Sequence, residues 1–336
     1  MIVVGKVLYI MTDGLYLNVD HDSVEIGKDR KIITRIPLVA LSQIIIISNV
    51  TISAYLIASC NRAKIRISYI SPNGKFLGTF DGSEVGNVTL RMKQYEAFRS
   101  RIKICIAKNI VLGKTINQMA LLSKYRSRYP GIDKIRSYLA SEINSLMDSN
   151  SVEQIRGIEG ECAAQYFSVF DKLLDGCCEE LRFVERTRRP PKNRFNSLLS
   201  FLYTIETTTC VTAISAYGLD PYLGYLHEIH PGRASLACDL VEEFRSPVVD
   251  AYVIKSINLK KISANDFEEA GGTFSLTTDG KKKILSDWEK YKEEKVFYKL
   301  WGKEVPIKVL PFLQAQLLGQ YLRGDIPEYP PFTDWR

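Results

Sequence analysis

The chain has 336 residues, of which 46% are hydrophobic and 10% aromatic, and it carries a formal net charge of +7. This composition supports one large or two ordinary domains with a sizeable core and excludes a globally disordered chain. No run approaches the roughly 18 uninterrupted apolar residues of a membrane span, so we expect no membrane partner. The apolar start contains Lys6 and leads into a turn, which is typical of a first strand and not of a signal peptide.

The seven cysteines are odd in number, include the adjacent pair Cys177 and Cys178, and show no repeated C-x-x-C spacing. They therefore predict neither a disulfide framework nor a zinc site. Small, reduced cysteines are typical of cytoplasmic proteins, and the cytoplasm is the compartment that we expect.

The first 84 residues predict a β-rich domain. Short runs rich in Val, Ile, Leu and Tyr alternate with turn residues such as Asp13-Gly14. The run 53–61 lacks strand alternation, which predicts one short helix among the strands. Residues 71–74, Ser-Pro-Asn-Gly, form a strong turn signal. We predict strands over residues 3–11, 15–20, 24–27, 31–37, 43–48 and 64–70.

From residue 87 the strand pattern gives way to helical periodicity. Residues 82–86 are the expected linker. The predicted fold class is α+β, with a small N-terminal β-rich domain over 1–84 followed by a larger all-α domain over 86–336. Residues 260–280 interrupt the helices, with a short strand or an ordered loop expected near 273–277. We predict helices over 88–127, 133–148, 160–174, 196–217, 235–244, 247–257, 281–292 and 311–323.

Positive charge is concentrated between residues 86 and 148. This stretch holds 12 Lys and Arg against four acids, an excess of eight that exceeds the net charge of the whole chain. Because solvated helix faces usually mix both signs, this excess favours a polyanionic partner. We expect Arg99, Arg101 and Lys103 to contact DNA.

Residues 156–170 predict a helix that begins near residue 160. Glu159 would stand at its start, where the helix N-terminus stabilises a carboxylate. One interpretation is that Glu159 has only this structural role at the start of the helix. The small neighbours Gly160 and Ala163 also leave open space beside the acid, as a ligand site needs.

Five cations lie within nine residues around Pro190-Pro191. A stiff basic segment of this kind is suited to contacts with a DNA backbone, and an exposed basic loop without a partner is the alternative. The candidate DNA-contacting residues here are Arg186, Arg188, Arg189 and Arg194.

Residues 224–245 hold two of the three histidines in the chain. His227 lies in a turn punctuated by Gly and Pro. On the helix that follows, Ser235, Asp239 and Glu242 are spaced by four and three residues and share one face. A neutral imidazole facing carboxylates suits a divalent metal ion. A histidine beside a solvated acidic helix face is the alternative.

Several motifs together resemble the CRISPR-associated (Cas) protein one family, the integrase of spacer acquisition. They are Glu-Gly-x-x-Ala-Ala-x-Tyr-Phe from residue 159 and Leu-His-x-x-x-x-Gly-Arg-x-Ser-Leu-x-x-Asp-Leu-x-Glu-Glu-Phe-Arg from residue 226. Further similar segments lie at 71–77, 86–95, 188–191, 196–201 and 321–332. The whole set spans nearly the entire chain and is most similar to the branch found with type I-C systems.

The resemblance implies that Glu159, His227 and Glu242 are catalytic residues that bind Mg²⁺ or Mn²⁺. It implies a supporting role for Asp239. Arg233 and Ser235 are weaker candidates for a phosphate contact, with a surface arginine and a helix cap as the alternatives. Tyr166 lies roughly on the face of Glu159, although core packing explains it equally well.

The implied function is to join the 3′-hydroxyl ends of a protospacer to the CRISPR repeat by transesterification of double-stranded DNA. The resemblance also implies a homodimer formed through the β-rich domains and a small ferredoxin-like adaptation partner. Two other functions stay open. One is a general metal-dependent DNA nuclease with water as the nucleophile, and the other is a non-catalytic DNA-binding scaffold.

Overall fold

The structure is a computed structural model that describes residues 1–4, 6–71, 76–80, 87–175, 178–187 and 190–333. The chain forms two compact units. The first contains residues 1–86 and 276–291, and the second contains residues 87–275 and 292–336. The predicted linker at 82–86 and the predicted turn at 71–74 lie mostly outside the described residues.

Within the described residues of 1–86, the first unit has two sheets and a short helix, α1 (Ala54–Arg62). One sheet has the strand order β1-β2-β6-β8-β9 and the other has the order β5-β4-β3-β7. The strands are β1 (Ile2–Val4), β2 (Val7–Ile10), β3 (Tyr16–Asp20), β4 (Ser23–Lys28), β5 (Lys31–Pro37), β6 (Gln43–Ile46), β7 (Thr51–Ile52), β8 (Arg66–Ile70) and β9 (Phe76–Phe80).

Alternating side chains of both sheets build the core of this unit. Leu8 and Ile10 on β2 are fully buried, as are Val24 and Ile26 on β4, because period-two alternation places such residues on one face of a strand. The N-terminal side of α1 is capped by Ser53, whose hydroxyl accepts the amide proton of Leu56 at 3.2 Å.

A helix from late in the chain also belongs to the first unit. The residues of α9 (Thr278–Lys292), up to Tyr291, group with it, whereas the sequence placed them in the helical domain. Trp288 is fully buried, and the hydroxyl of Tyr9 on β2 donates to Glu289 at 2.7 Å. The contact spans 280 residues of sequence, so helical periodicity alone could not assign α9 to the β-rich unit.

The second unit is mainly helical, which confirms the predicted fold class of a β-rich N-terminal region followed by a helical region. Its helices are α2 (Val88–Phe98), α3 (Ile102–Ser123), α4 (Gly131–Asp148), α5 (Val152–Phe167), α6 (Arg194–Ala216), α7 (Ser235–Phe244), α8 (Ala251–Asn258) and α10 (Leu310–Arg323).

Two short hairpins interrupt this unit, which is therefore not all-α. They are β10 (Phe267–Ala270) with β11 (Thr273–Leu276), and β12 (Lys295–Tyr298) with β13 (Lys303–Pro306). Gly271 and Gly272 between β10 and β11 have φ of 58° and 71°, as a two-residue type I′ turn requires. Four-residue strands are too short for a clear alternation signal.

The predicted single helix over 88–127 is two helices. Ser100 lies between them, and its hydroxyl donates to the carbonyl of Ala97 at 3.0 Å and accepts from the amide of Ile102 at 3.2 Å. Because a serine side chain can replace backbone partners in this way, it competes with a continuous helix.

A π-helical turn (Arg245–Asp250) joins α7 to α8. Pro247 within it has no amide proton and cannot bond the carbonyl of Glu243, four residues earlier. That carbonyl instead accepts from the side-chain amide of Asn117 at 2.9 Å. The helix α7 is thereby tied to α3 at the point where it ends.

Among the described residues, one helix is long and apolar enough to cross a membrane. It is α6, and 78% of its most apolar window is buried inside the protein. This is the burial of a core helix.

Candidate functional site

Glu159 lies in the middle of α5, not at its start. Ser151 caps that helix by accepting from the amide of Gln154 at 3.2 Å, and the Gln154 side chain accepts from the amide of Asn150 at 2.8 Å. This pair resembles a capping box, a start signal that the prediction of a helix from residue 160 overlooked. Glu159 is therefore held by a rigid helix and gains nothing from a helix N-terminus.

His227 lies in the loop between α6 and α7, and Asp239 organises that loop. The Asp239 carboxylate accepts from three successive backbone amides, those of Tyr225, Leu226 and His227, at 2.5, 3.0 and 2.8 Å. Its Oδ1 is also 2.8 Å from His227 Nδ1. Because a carboxylate only accepts, Nδ1 carries a proton, and in the neutral imidazole the lone pair on Nε2 is available to a ligand.

The close approach of this loop to α7 requires a glycine at position 224. A Cβ atom there would stand 2.7 Å from Ser235 Cβ and 3.0 Å from Asp239 Oδ2. Any side chain would push the loop away from Asp239.

The two adjacent glutamates of α7 face different surroundings. Glu242 lies with its Oε1 4.0 Å from His227 Nε2. Glu243 points to the C-terminal segment, where it accepts from the hydroxyl of Tyr329 at 2.5 Å and from the amide of Phe332 at 2.6 Å. A helix separates consecutive side chains by about 100°, so only Glu242 is directed towards His227.

Two cations that the sequence did not single out complete the site. Lys114 of α3 forms an ion pair with Glu159 and a second one, at 2.7 Å, with Glu242 Oε2. Arg245 contacts Glu242 Oε1 at 3.0 Å and lies over the ring of Tyr203 at 4.6 Å. Burial alone would raise the pKa of Glu242, but Arg245 and then Lys114 outweigh it and hold that pKa well below its usual value.

The donor set fits a hard divalent cation. Two carboxylates and one imidazole with a free Nε2 are ligands that Mg²⁺ and Mn²⁺ accept. Glu242 Oε2 is buried and is paired with the Lys114 ammonium at 2.7 Å. No group of three His, Cys, Asp or Glu side chains is already gathered around one point in the described part of the chain. A divalent cation would therefore require a local rearrangement around Lys114.

Arg233 and Ser235 both support the histidine loop. The Ser235 hydroxyl donates to the carbonyl of Glu228 at 2.8 Å, and a guanidinium nitrogen of Arg233 donates to the same oxygen. Their polar groups are thus directed at the backbone of the loop. Arg156 of α5 adds an ion pair with the Glu228 carboxylate at 2.8 Å.

Tyr166 is packed in the core of the helical unit. It is 1% exposed, and its hydroxyl donates to Asp250 at 2.8 Å. Asp250 also accepts from Tyr203 at 2.5 Å. The structure therefore places Tyr166 in a buried network beneath Arg245, in keeping with the core-packing alternative.

Fewer cations of the basic stretch 86–148 are available to a polyanionic partner than its charge implies. At least seven of its twelve cations have partners within the protein, and they include Arg91, Lys93, Lys108, Lys114, Arg126, Arg128 and Arg136. By contrast, Arg99 and Arg101 are exposed between α2 and α3. Lys103 lies over the ring of Phe98 at 4.2 Å.

The second basic segment is only partly described, because Arg188 and Arg189 lie outside the described residues. Arg186 donates to the side chains of Asn196 and Ser200 on α6, at 2.8 and 3.3 Å. Arg194 is the first residue of α6 and lies over the ring of Phe274 at 4.7 Å. Arg186 and Arg194 therefore both contact neighbouring side chains of the protein, in contrast to arginines of an unpaired surface loop.

Fold and site together define an α+β protein in whose helical unit one lysine pairs with two carboxylates and a histidine lies 4.0 Å from one of them. The family model for CRISPR associated protein Cas1 matches residues 8–290. A Chlorobaculum tepidum protein named CRISPR-associated endonuclease Cas1 1 is 36% identical over 98% of both chains. The chain belongs to the Cas1 family.

Solved structures agree with this assignment. A Cas1 protein from Thermotoga maritima is 26% identical and superposes with a TM-score of 0.84, covering 95% of this chain and 97% of its own. A casposase bound to an integration product is 28% identical with a TM-score of 0.85, covering 98% of this chain and 93% of its own. The similarity therefore extends over both units.

Proposed function

We propose that this protein is a metal-dependent DNA endonuclease and integrase of CRISPR spacer acquisition. It would join the 3′-hydroxyl ends of a protospacer to the CRISPR repeat. The observation that carries the proposal is that Lys114 pairs with both Glu159 of α5 and Glu242 of α7, and that His227 of the loop before α7 lies beside Glu242, with its Nε2 at 4.0 Å.

Glu159 and Glu242 would hold Mg²⁺ or Mn²⁺ through oxygen, and His227 would hold it through Nε2. When bound, such an ion neutralises a scissile phosphate and activates an oxygen nucleophile. Asp239 keeps the proton of His227 on Nδ1 and fixes the direction of the ring. Arg245 holds the Glu242 carboxylate in place.

The substrate would be double-stranded DNA held by phosphate contacts. Arg99 and Arg101, exposed between α2 and α3, are the described cations best placed to reach a backbone. The integration product bound by the related casposase supports strand joining over simple cleavage. We propose that residues 1–84 form the dimer contact and that residues 86–336 bind the metal ion and DNA.

The partners follow from the family resemblance. They are a second copy of this chain and a small ferredoxin-like adaptation protein, and the type I-C branch is the one whose motifs are most similar. Size-exclusion chromatography with light scattering measures the first partner directly. A monomer at micromolar concentration would contradict the proposed homodimer.

One assay separates the three candidate functions. The full-length protein is incubated with Mn²⁺, a labelled duplex with free 3′-hydroxyl ends, and a target carrying a CRISPR repeat. Joined product supports an integrase and cleaved product alone supports a nuclease. DNA binding with neither product supports a scaffold.

The variant His227→Ala should abolish joining while DNA affinity remains, because phosphate contacts elsewhere dominate that affinity. His230→Ala is the matched control, since His230 is an exposed histidine of the same loop. Normal joining by His227→Ala in Mn²⁺ would overturn the proposed site.

A further inference from the structure

The side chain of Lys114 occupies the space between the two carboxylates of the site. It projects from α3, is 4% exposed, and forms ion pairs with Glu159 and Glu242. Lysine is rarely buried to this extent unless it is paired, and here it has two carboxylate partners.

We propose that Lys114 is a positioning residue that holds Glu159 and Glu242 together before the divalent cation binds, and that it leaves them when the cation arrives. This inference rests on the proposed function, because it assumes that the two glutamates bind a metal ion.

Two like charges close together destabilise a poorly solvated site. Without a cation between them, the buried Glu242 carboxylate and the partly buried Glu159 carboxylate repel each other and are driven apart. The Lys114 ammonium removes this repulsion. It therefore keeps both carboxylates close to one point in the absence of metal.

The paired charges of the site balance without a metal ion. Glu159 and Glu242 supply two negative charges, and Lys114 and Arg245 supply two positive charges within contact distance. A divalent cation bound to the same oxygens would leave this site with an excess of two positive charges at distances of a few ångströms. Such an excess in a poorly solvated place is unfavourable, so one of the resident cations has to move.

Arg245 and Lys114 differ in how firmly they are held. Arg245 is stacked on Tyr203 at 4.6 Å and contacts Glu242 Oε1, the oxygen nearest His227. Tyr203 is itself fixed by its hydrogen bond to Asp250. The Lys114 ammonium sits on a flexible four-carbon chain and lies between the ligands themselves. Lys114 is therefore the group that a metal ion would displace.

The direct test is Mn²⁺ affinity of the full-length protein after treatment with a chelator, measured by calorimetry or by electron paramagnetic resonance of free Mn²⁺. Lys114→Met keeps the length of the side chain and removes the competing charge. We expect it to bind Mn²⁺ about tenfold more tightly or better. We also expect a lower melting temperature without metal and a larger rise on adding Mn²⁺. Lys134→Met, an exposed lysine of α4, is the control for loss of one distant charge.

A second measurement uses the wild-type protein and does not depend on a variant folding. Amine-reactive labelling of Lys114 is quantified by mass spectrometry with and without Mn²⁺. A displaced ammonium becomes more reactive, so labelling should increase severalfold, whereas labelling of Lys134 should not change.

The outcomes are distinguishable. If wild type binds Mn²⁺ but Lys114→Met binds it no better, or if labelling does not rise, the displacement inference is wrong and the proposed function stands. If wild type binds no Mn²⁺ and joins no DNA, the proposed function itself fails.

Discussion

Asp239 Oδ1 lies 2.8 Å from His227 Nδ1 and also 2.8 Å from the backbone amide of the same histidine. One buried carboxylate thus fixes both the backbone position and the ring tautomer of a residue twelve positions earlier. The loop that carries His227 has no helix or strand of its own here. Its order comes from α7, the helix that also carries Glu242.

This relationship separates the roles of Asp239 and Glu242. Glu242→Gln removes a proposed metal ligand while preserving its shape, so we expect strand joining to fall below detection and Mn²⁺ affinity to fall by more than 100-fold. Asp239→Asn should reduce strand joining and Mn²⁺ affinity by about 10–100-fold, as the loss of a group that orients a metal ligand typically does. Calorimetry with Mn²⁺ and the joining assay measure the two effects. A larger loss of metal affinity in Asp239→Asn would make Asp239 the direct ligand.

The glycine at position 224 provides a second test of the loop. Gly224→Ala places a Cβ 2.7 Å from Ser235 Cβ and 3.0 Å from Asp239 Oδ2, so the loop has to shift. We expect a loss of stability of about 1–3 kcal/mol and a clear loss of joining, measured by denaturant unfolding and by product formation. Gly157→Ala in α5 is the control. Its Cβ meets nothing within 4 Å, and alanine stabilises a helix by about 1 kcal/mol. Equal behaviour of the two variants would contradict the packing argument.

The predicted DNA surface is tested by charge reversal. Replacing Arg99, Arg101 and Lys103 with Glu should weaken binding to all DNA sequences and flatten its salt dependence, because each lost phosphate contact removes about 0.9 from the slope of log K against log salt. The neutral triple replacement with Gln should have a smaller effect in the same direction. Affinity measured over a range of salt concentrations decides the matter. An unchanged slope would mean that this surface faces a protein or solvent.

Local sequence patterns were sufficient for much of the fold and for the choice of candidate ligands. Alternation located the strands of the first unit, and the spacing of Asp239 and Glu242 placed both on one face of α7. Lys114 could not be found in this way. It is 45 residues before Glu159, and in the sequence it counts only as one more cation of a basic stretch. Its flanking residues, Gly113 and Thr115, are buried in the structure, and a lysine within such an apolar run was the available signal.

The assignment of α9 failed for a related reason. Its periodicity predicts a helix and gives no information on the partner, and the partner is a sheet whose strands begin at the other end of the sequence. Contacts between distant segments depend on tertiary packing, which no local pattern encodes.

Glu243 joins α7 to the C-terminal segment through its contacts with Tyr329 and Phe332. Burial raises the pKa of Glu243 to about 8, although hydrogen bonds from Tyr329 and Phe332 act in the opposite direction. In the unfolded chain the carboxyl has its usual pKa near 4.5. Between these values the folded protein binds the proton that the unfolded chain has lost. The contribution of Glu243 to stability is therefore fully present below about pH 4.5 and is lost as the pH rises towards and through about 8.

Glu243→Gln removes this titration and keeps the shape and polarity of the group. The free energy of unfolding of the wild type should fall between pH 6 and pH 8, with a contribution from Glu243 of up to about 1.4 kcal/mol per pH unit. In Glu243→Gln that decline should be much shallower. Asp250→Asn is the comparison, because burial raises the pKa of Asp250 only to about 6, so its contribution to the decline is largely over by pH 7. Urea unfolding at several pH values measures all three proteins. A wild-type decline that persists unchanged in Glu243→Gln between pH 7 and pH 8 would show that another group titrates there and that Glu243 is ionised in the folded protein.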